Sequence, residues 1–338
     1  MKNNSIQLSS LVAFSLLGPA YFTGSEWLTF FSYFGSWGSI GLFISCLALT
    51  WLLYRIALFA SVRQLTSLAE LIQFMMGPQI SQTVIFLLYA LLAALGGVVI
   101  GQEAMELSLV SRISPLWCGA LLIGVLFFCL RQGAQNVSAL ISCLLAFSLL
   151  TFGGLLAFGS YLSIPAFTYQ LNINWLWHAV LFIALHLILS LAILLPVFAS
   201  SSGISSSASA GIWIGGVGFA VIATLLHLLI LAHWHDVHHS AEPLFLIISS
   251  VFPSGALPYQ LVSLAQSLLF ISLLYRGIML PMADRYQLEL LPLQLLWMLM
   301  TFAFSLLPLF AGWAADGTYI GLTYVGLYVL VLLLYKRV

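Results

Sequence analysis

Apolar residues along this chain fall into ten long runs separated by short polar breaks. Five runs cover Gln7 to Phe34, Gly38 to Ala60, Gln79 to Val110, Pro115 to Leu130 and Asn136 to Tyr161. After a polar stretch they resume as Asn174 to Ser200, Ala208 to His233, Ala256 to Leu280, Leu291 to Phe310 and Tyr319 to Lys336. About 20 apolar residues, rising 1.5 Å each, cross a hydrocarbon core of about 30 Å, so each run predicts a membrane-spanning α-helix. The runs are continuous and do not alternate with a period of two, which excludes a β-barrel.

Two intervening segments are too short or too amphipathic to cross. Ser61 to Met76 places Leu65, Leu68, Ile72 and Met75 at helical spacing, with Arg63, Gln64 and Glu70 among them, which predicts a helix lying along the interface. Glu242 to Phe252, flanked by Pro243 and Pro253, is a second short apolar helix. One follows the second run and the other the seventh. The offset of five spans predicts two repeats, 1–165 and 166–338, within one membrane domain. Because five is odd, the second repeat is inverted relative to the first.

Composition agrees with this pattern. Of 338 residues, 62% are hydrophobic and 5% charged, with a mean hydropathy of +1.13. Soluble domains carry about 25% charged residues, so the solvent around this chain is mostly lipid. Zero net charge implies no general attraction to nucleic acid. With the N-terminus inside, Lys2, Arg55, Arg63, Arg131, Arg276, Arg285, Lys336 and Arg337 all fall at the inner side, and only Arg112 lies outside. That bias predicts a multi-pass protein of the cytoplasmic (inner) membrane with both termini cytoplasmic. The first apolar run continues into aromatic sequence without a small-residue cleavage site, so it reads as a span rather than a signal peptide. Cys46, Cys118, Cys129 and Cys143 are scattered singly and read as small core residues, not as a disulfide or metal framework.

Candidate chemistry concentrates in the first span, at Gly18-Pro19-Ala20-Tyr21-Phe22-Thr23-Gly24-Ser25-Glu26-Trp27. Proline lacks an amide hydrogen and glycine lets the backbone leave helical geometry, so a break from Gly18 to Gly24 is expected. It frees backbone groups that only protein or a water-filled cavity can satisfy. The plainer alternative is a proline kink accommodated by neighbouring helices. Glu26 follows the break, and a charged acid near mid-membrane costs on the order of 2.5–3.5 kcal/mol, so it should face a cavity or a partner. It reads either as a carboxyl that exchanges a proton with conformation or as a hydrogen-bonded brace of the broken helix.

The run Gly18 to Glu26, followed by Phe30-Phe31 and Phe34-Gly35-Ser36-Trp37-Gly38, resembles the first-span signature of the YkvI-type membrane proteins. Those are similar to the amino acid–polyamine–organocation superfamily, with its LeuT-type fold. The resemblance extends to Gly96-Gly97 and Gly101 in the third span and to Phe182 to Pro196 in the sixth. It implies an all-α integral membrane protein of about ten transmembrane helices in a 5+5 inverted repeat, with broken first and sixth helices. It implies a substrate site lined by Gly18, Ala20, Tyr21, Thr23, Gly24 and Ser25, with Gly97, Ser263 and Gln266 from the third and eighth spans. Since the first and sixth spans touch in that fold, Glu26 and His186 are expected to approach one another, and an imidazole suits proton exchange with a carboxylate. The alternative for His186 is a core histidine bonded to a backbone carbonyl. Pro19 and Tyr21 stand where the family has small residues, and His186 where it has a polar Asn. The eighth span, with Ser263, Gln266, Ser267 and Ser272, lacks the adjacent hydroxyl pair of sodium-binding relatives, which favours protons as the coupling ion.

Elsewhere the candidates are second-rank. Gly97 and Gly101 form a GxxxG suited to close helix packing. Tyr89 reads as a core aromatic, Glu106 as an interfacial ion pair with Arg112, and Glu103 as a further proton or cation candidate. His233, His235, His238 and His239 supply imidazoles for a metal, but without a defined ligand spacing, and a solvated loop is the simpler reading. Ser200 to Ser209 has the composition of a flexible linker. No Walker, HExxH or GxSxG motif occurs, so neither ATP-driven pumping nor an intramembrane enzyme is expected, and no cofactor is implied. The expectation is a secondary transporter, by symport or antiport, of an amino acid or similar small organic solute. A ligand sensor on a transporter scaffold and a divalent-metal transporter are the alternatives. The oligomeric state is left open.

Overall fold

A computed structural model describes residues 5–19, 21–132, 134–158, 173–199, 205–310 and 313–336. Most of these residues are helical, and there is no strand among them. In chain order the helices are α1 (Ser5–Leu17), α2 (Ser25–Phe30), α3 (Ser36–Arg63), α4 (Leu68–Met76), α5 (Pro78–Ser111), α6 (Pro115–Arg131) and α7 (Ala134–Phe158). They continue as α8 (Asn174–Ala199), α9 (Ser206–Ala232), α10 (Trp234–Val237), α11 (Pro243–Val251) and α12 (Ala256–Tyr286). The last are α13 (Leu290–Ser305), α14 (Leu307–Phe310) and α15 (Trp313–Tyr335).

Seven of these helices are long and apolar enough to cross a membrane, and Ser5–Leu17, Pro115–Arg131 and Leu290–Ser305 are shorter apolar ones. Together they occupy the ten apolar runs of the sequence. Several carry exposed apolar stripes. On α3 these are Ile40, Phe43, Leu47 and Trp51, and on α13 they are Leu291, Leu295 and Leu299. Recurring every three to four residues, they line one helix face, and contiguous faces this apolar belong against lipid. The chain is a multi-pass α-helical membrane protein.

Local chemistry explains the element ends. Gly18 adopts φ +85° after α1, and the following Pro19 disfavours helical geometry at the residue before it. Gly24, at φ +82°, re-enters helix as the N-cap of α2. Chain between α3 and α4 turns at Gln64, φ 55°, so Arg63 ends a span instead of belonging to the interfacial helix. α4 is then started by a Ser67 N-cap, with Glu70 reaching back to the residue before it. Ser67 Oγ accepts the Glu70 N–H at 3.2 Å, and Glu70 Oε2 accepts the Thr66 N–H at 2.7 Å. Its buried side carries Leu68, Leu71, Ile72 and Met75. Ser205 Oγ caps α9 by accepting the Ala208 N–H at 3.2 Å, so the expected linker is already helical from Ser206, and 200–204 lie outside the described residues.

One expectation needs correction. The sixth span is not broken: α8 runs continuously from Asn174 to Ala199, with Pro196 near its end. It contains no glycine, and a proline in the last turn removes one hydrogen bond without releasing the mid-span backbone.

The described chain forms two compact units. The first comprises 1–54, 134–186 and 205–266. Within it α1 packs along α9 and α7, and Ser142 Oγ donates to Ser10 Oγ at 3.0 Å. The second comprises 55–133, 187–204 and 267–338, with α5 surrounded by α4, α6, α13 and α15. There Tyr275 bridges Thr301 Oγ1 at 2.7 Å and the Ala93 carbonyl at 3.3 Å. Arg276 donates through Nε to the Leu130 carbonyl at 3.1 Å and through Nη2 to the Gln132 carbonyl, satisfying the C-terminal carbonyls of α6.

Candidate functional site

The break in the first span organises a polar cluster within the first unit. Where α1 stops, its last carbonyls lose intrahelical partners. Side chains from other helices take their place. His186 Nδ1, on α8, donates to the Leu16 carbonyl at 2.8 Å, and Gln266 Nε2, on α12, donates to the Gly18 carbonyl at 3.0 Å. Glu26 sits in the first turn of α2, and its Oε2 lies 3.3 Å from His186 Nε2. Both side chains are buried, at 6% and 0% exposure. Phe182, one turn before His186 on α8, stacks on the imidazole with ring centroids 3.9 Å apart. The site is tight around Gly18: a Cβ there would lie 2.8 Å from His186 Cε1 and 3.4 Å from Glu26 Oε2.

Hydrogen-bond roles fix the electrostatics. A carbonyl only accepts, so His186 Nδ1 carries a proton, and in a neutral ring Nε2 is then an acceptor. The atom opposite, Glu26 Oε2, is an acceptor when ionised. Gln266 spends its amide N–H on Gly18 and presents Oε1, again an acceptor. Glu26 Oε1 and Oε2, His186 Nε2 and Gln266 Oε1 are all buried without a hydrogen-bond partner. Two acceptor atoms 3.3 Å apart in a low-dielectric interior, neither of them hydrogen-bonded, repel one another. A positively charged group placed between them, a proton or another cation, would satisfy both atoms.

The other expected residues divide into separate groups. Tyr21 is buried and shares a hydrogen bond with Ser148 Oγ at 3.0 Å, with its ring against Phe14 and Phe22, so it ties the break to α7. Thr23 Oγ1 and Ser25 Oγ are 2.9 Å apart, the Thr23 carbonyl accepts the Leu244 N–H at 3.2 Å, and Gly24 packs on Pro243 and Leu244. Thr23 and Gly24 thereby dock onto α11. Ser263 is buried one turn before Gln266, and Ala20 lies outside the described residues. In the second unit Gly97 packs against the Thr301 carbonyl and Phe304, which is a helix contact. Glu103 accepts from Ser267 Oγ at 2.7 Å and is buried.

The histidine loop does other work. His238 Nδ1 donates to the Trp234 carbonyl at 2.9 Å, its ring stacks on Trp234 and lies tilted against His239, and its own carbonyl accepts from Tyr33 Oη. His233 lines a cavity of about 250 Å³ with Asp236, Ser249 and Ser250, and His235 is exposed. Among the described residues no three His, Cys, Asp or Glu side chains are placed to share an ion. A buried histidine that sequence reasoning passed over is His227 on α9. Its Nδ1 and Nε2 meet Ser32 Oγ at 3.0 Å and Ser39 Oγ at 2.9 Å, fastening the chain on both sides of Gly35. The available signal was a lone imidazole in the seventh apolar run.

No family model matches the chain, and no curated protein sequence matches it. Solved structures do. A crystal structure of the Eremococcus coleocola manganese transporter, as a histidine-to-alanine mutant, superimposes with a TM-score of 0.57 at 16% identity. The match covers 98% of this chain and 76% of that one. The same transporter in complex with an aromatic bis-isothiourea substituted compound gives a TM-score of 0.54 at 15% identity, with the same coverage. At this identity the likeness shows the fold: this chain has the all-helical membrane architecture of that manganese transporter along nearly its whole described length.

Proposed function

We propose that the chain is a proton-coupled secondary transporter of a small solute, working by alternating access. One observation carries the reading: the buried Glu26–His186 pair, 3.3 Å apart at the break of the first span, with no hydrogen-bond partner on either facing atom. A pair of unpartnered acceptors, placed where helix geometry is interrupted, is suited to couple the binding of a positive charge to the position of α1 and α2. The arrangement of spans as two inverted fives, 1–165 and 166–338, belongs to this proposal. It is supported by α4 after the second span and α11 after the seventh.

The first cargo reading is an amino acid or similar organic solute whose ammonium group meets the acceptors around Gly18. A second reading is favoured by the composition of that cluster. Carboxylate, imidazole and amide oxygen suit a divalent ion such as Mn²⁺, which would compete with the proton for Glu26 and His186. The shared fold with a manganese transporter supports this alternative. Purified protein in liposomes, given an inward proton gradient, discriminates. Accumulation of labelled amino acids together with internal acidification supports the first cargo, and Mn²⁺ accumulation supports the second. Binding of either probe without gradient-driven accumulation would instead make the chain a ligand sensor and contradict the proposal.

A further inference from the structure

A second site lies in the second unit, remote in sequence from the Glu26 break. There α4, the start of α5 and the end of α12 enclose a cavity of about 260 Å³ whose walls include Gln73, Ser81, Gln82, Phe86, Tyr89 and Arg285. We propose that this cavity binds the headgroup of an anionic phospholipid.

Arg285 Nη2 donates to Gln73 Oε1 at 3.0 Å, which holds the guanidinium at the cavity while leaving most of its five N–H groups free for a ligand. A guanidinium fork matches the oxygens of a phosphodiester, and the Gln73 and Gln82 amides add neutral donors. Two more cations flank α4: Arg63 Cζ lies 5.5 Å and Lys336 Nζ 5.9 Å from the centroid of the Phe74 ring. Of the acids here, Glu70 directs Oε2 to the Thr66 N–H and hydroxyl, and Asp284 is exposed beside Arg285. Arg285 is the charged side chain among the cavity's lining residues, and with Glu70 engaged locally it leaves the wall attractive to an anion.

A lipid, and not a soluble phosphate, fits the flank. Beside the cavity α5 exposes Ile80, Phe86 and Leu87, at 63%, 78% and 49%, a track on which acyl chains can lie. The amphipathic α4 has the form of an interfacial helix, and Arg63, Arg285 and Lys336 belong to the side that the basic residues mark as cytoplasmic, where anionic lipids concentrate.

The test uses the full chain in nanodiscs of phosphatidylcholine, with or without phosphatidylglycerol, read by thermal unfolding and by native mass spectrometry of retained lipid. The expected result is a higher Tm and retained phosphatidylglycerol for the wild type. Retention should fall roughly fivefold in Arg285→Gln, the change expected for one basic side chain at a lipid surface. Arg285→Lys should be intermediate, and Arg131→Gln, at the end of α6, unchanged. Wild-type retention in Arg285→Gln would overturn the proposal, as would an equal Tm shift in phosphatidylcholine alone. An equal shift of the detergent-solubilised protein by inorganic phosphate or glycerol phosphate would overturn it in favour of a soluble anion.

Discussion

Gly18 is the residue on which the candidate site turns. Its φ of +85° is one that a Cβ makes costly, and that Cβ would also strike His186. Gly18→Ala is expected to destabilise the protein by at least about 1–2 kcal/mol, seen as a lower Tm in detergent. The pair beside it should behave as a unit. Glu26→Gln and His186→Gln, alone and combined, are expected to give a coupling energy within roughly 0.5–3 kcal/mol in a double-mutant cycle, and strict additivity would dissociate them. Tyr21→Phe should cost only about 0.5–1.5 kcal/mol, the worth of its bond to Ser148, and leave flux intact because the hydroxyl is engaged by Ser148. Glu26 and Gly18 are legible in sequence because an acid, a proline and two glycines in one apolar run violate the rules of a plain span. The partners are another matter. That His186 meets the Leu16 carbonyl, or that His227 lies between Ser32 and Ser39, depends on tertiary geometry between residues more than 150 positions apart.

Between elements, glycines mark the closest helix contacts. Gly277 on α12 has no room for a Cβ, which would lie 1.9 Å from the Ala192 carbonyl of α8, whereas nothing lies within 4 Å of the same position at Gly124 on α6. Gly277→Ala should therefore cost about 1–3 kcal/mol or more by overpacking. Gly124→Ala should be neutral or stabilising by up to about 1 kcal/mol, and thermal unfolding of the two variants compares them directly. Runs of apolar residues disclose the spans and both short helices, since hydropathy and capping residues act locally. Continuity of α8 was harder to read. The fold suggested by resemblance called for a break, but a stretch without glycine and with its proline in the last turn has the local chemistry of an unbroken helix.

For the molecule as a whole, ten apolar stretches and outward apolar stripes define a membrane protein, and the first-span break is where the proposed transport would act. Basic residues predict that both termini face the cytoplasm, so reporter fusions at either end should be active only as cytoplasmic reporters. Cargo is not written in such features, because the unpartnered acceptors of Glu26, His186 and Gln266 accommodate a proton, an ammonium group or a metal ion with the same atoms. Coupling is the claim that geometry supports most strongly. Its most direct measurement compares wild type and Glu26→Gln in liposomes, using whichever of Mn²⁺ or labelled amino acid the wild type accumulates. Coupling through Glu26 predicts that the variant still exchanges the solute across the membrane but no longer accumulates it under a proton gradient. Undiminished gradient-driven accumulation by Glu26→Gln would contradict it.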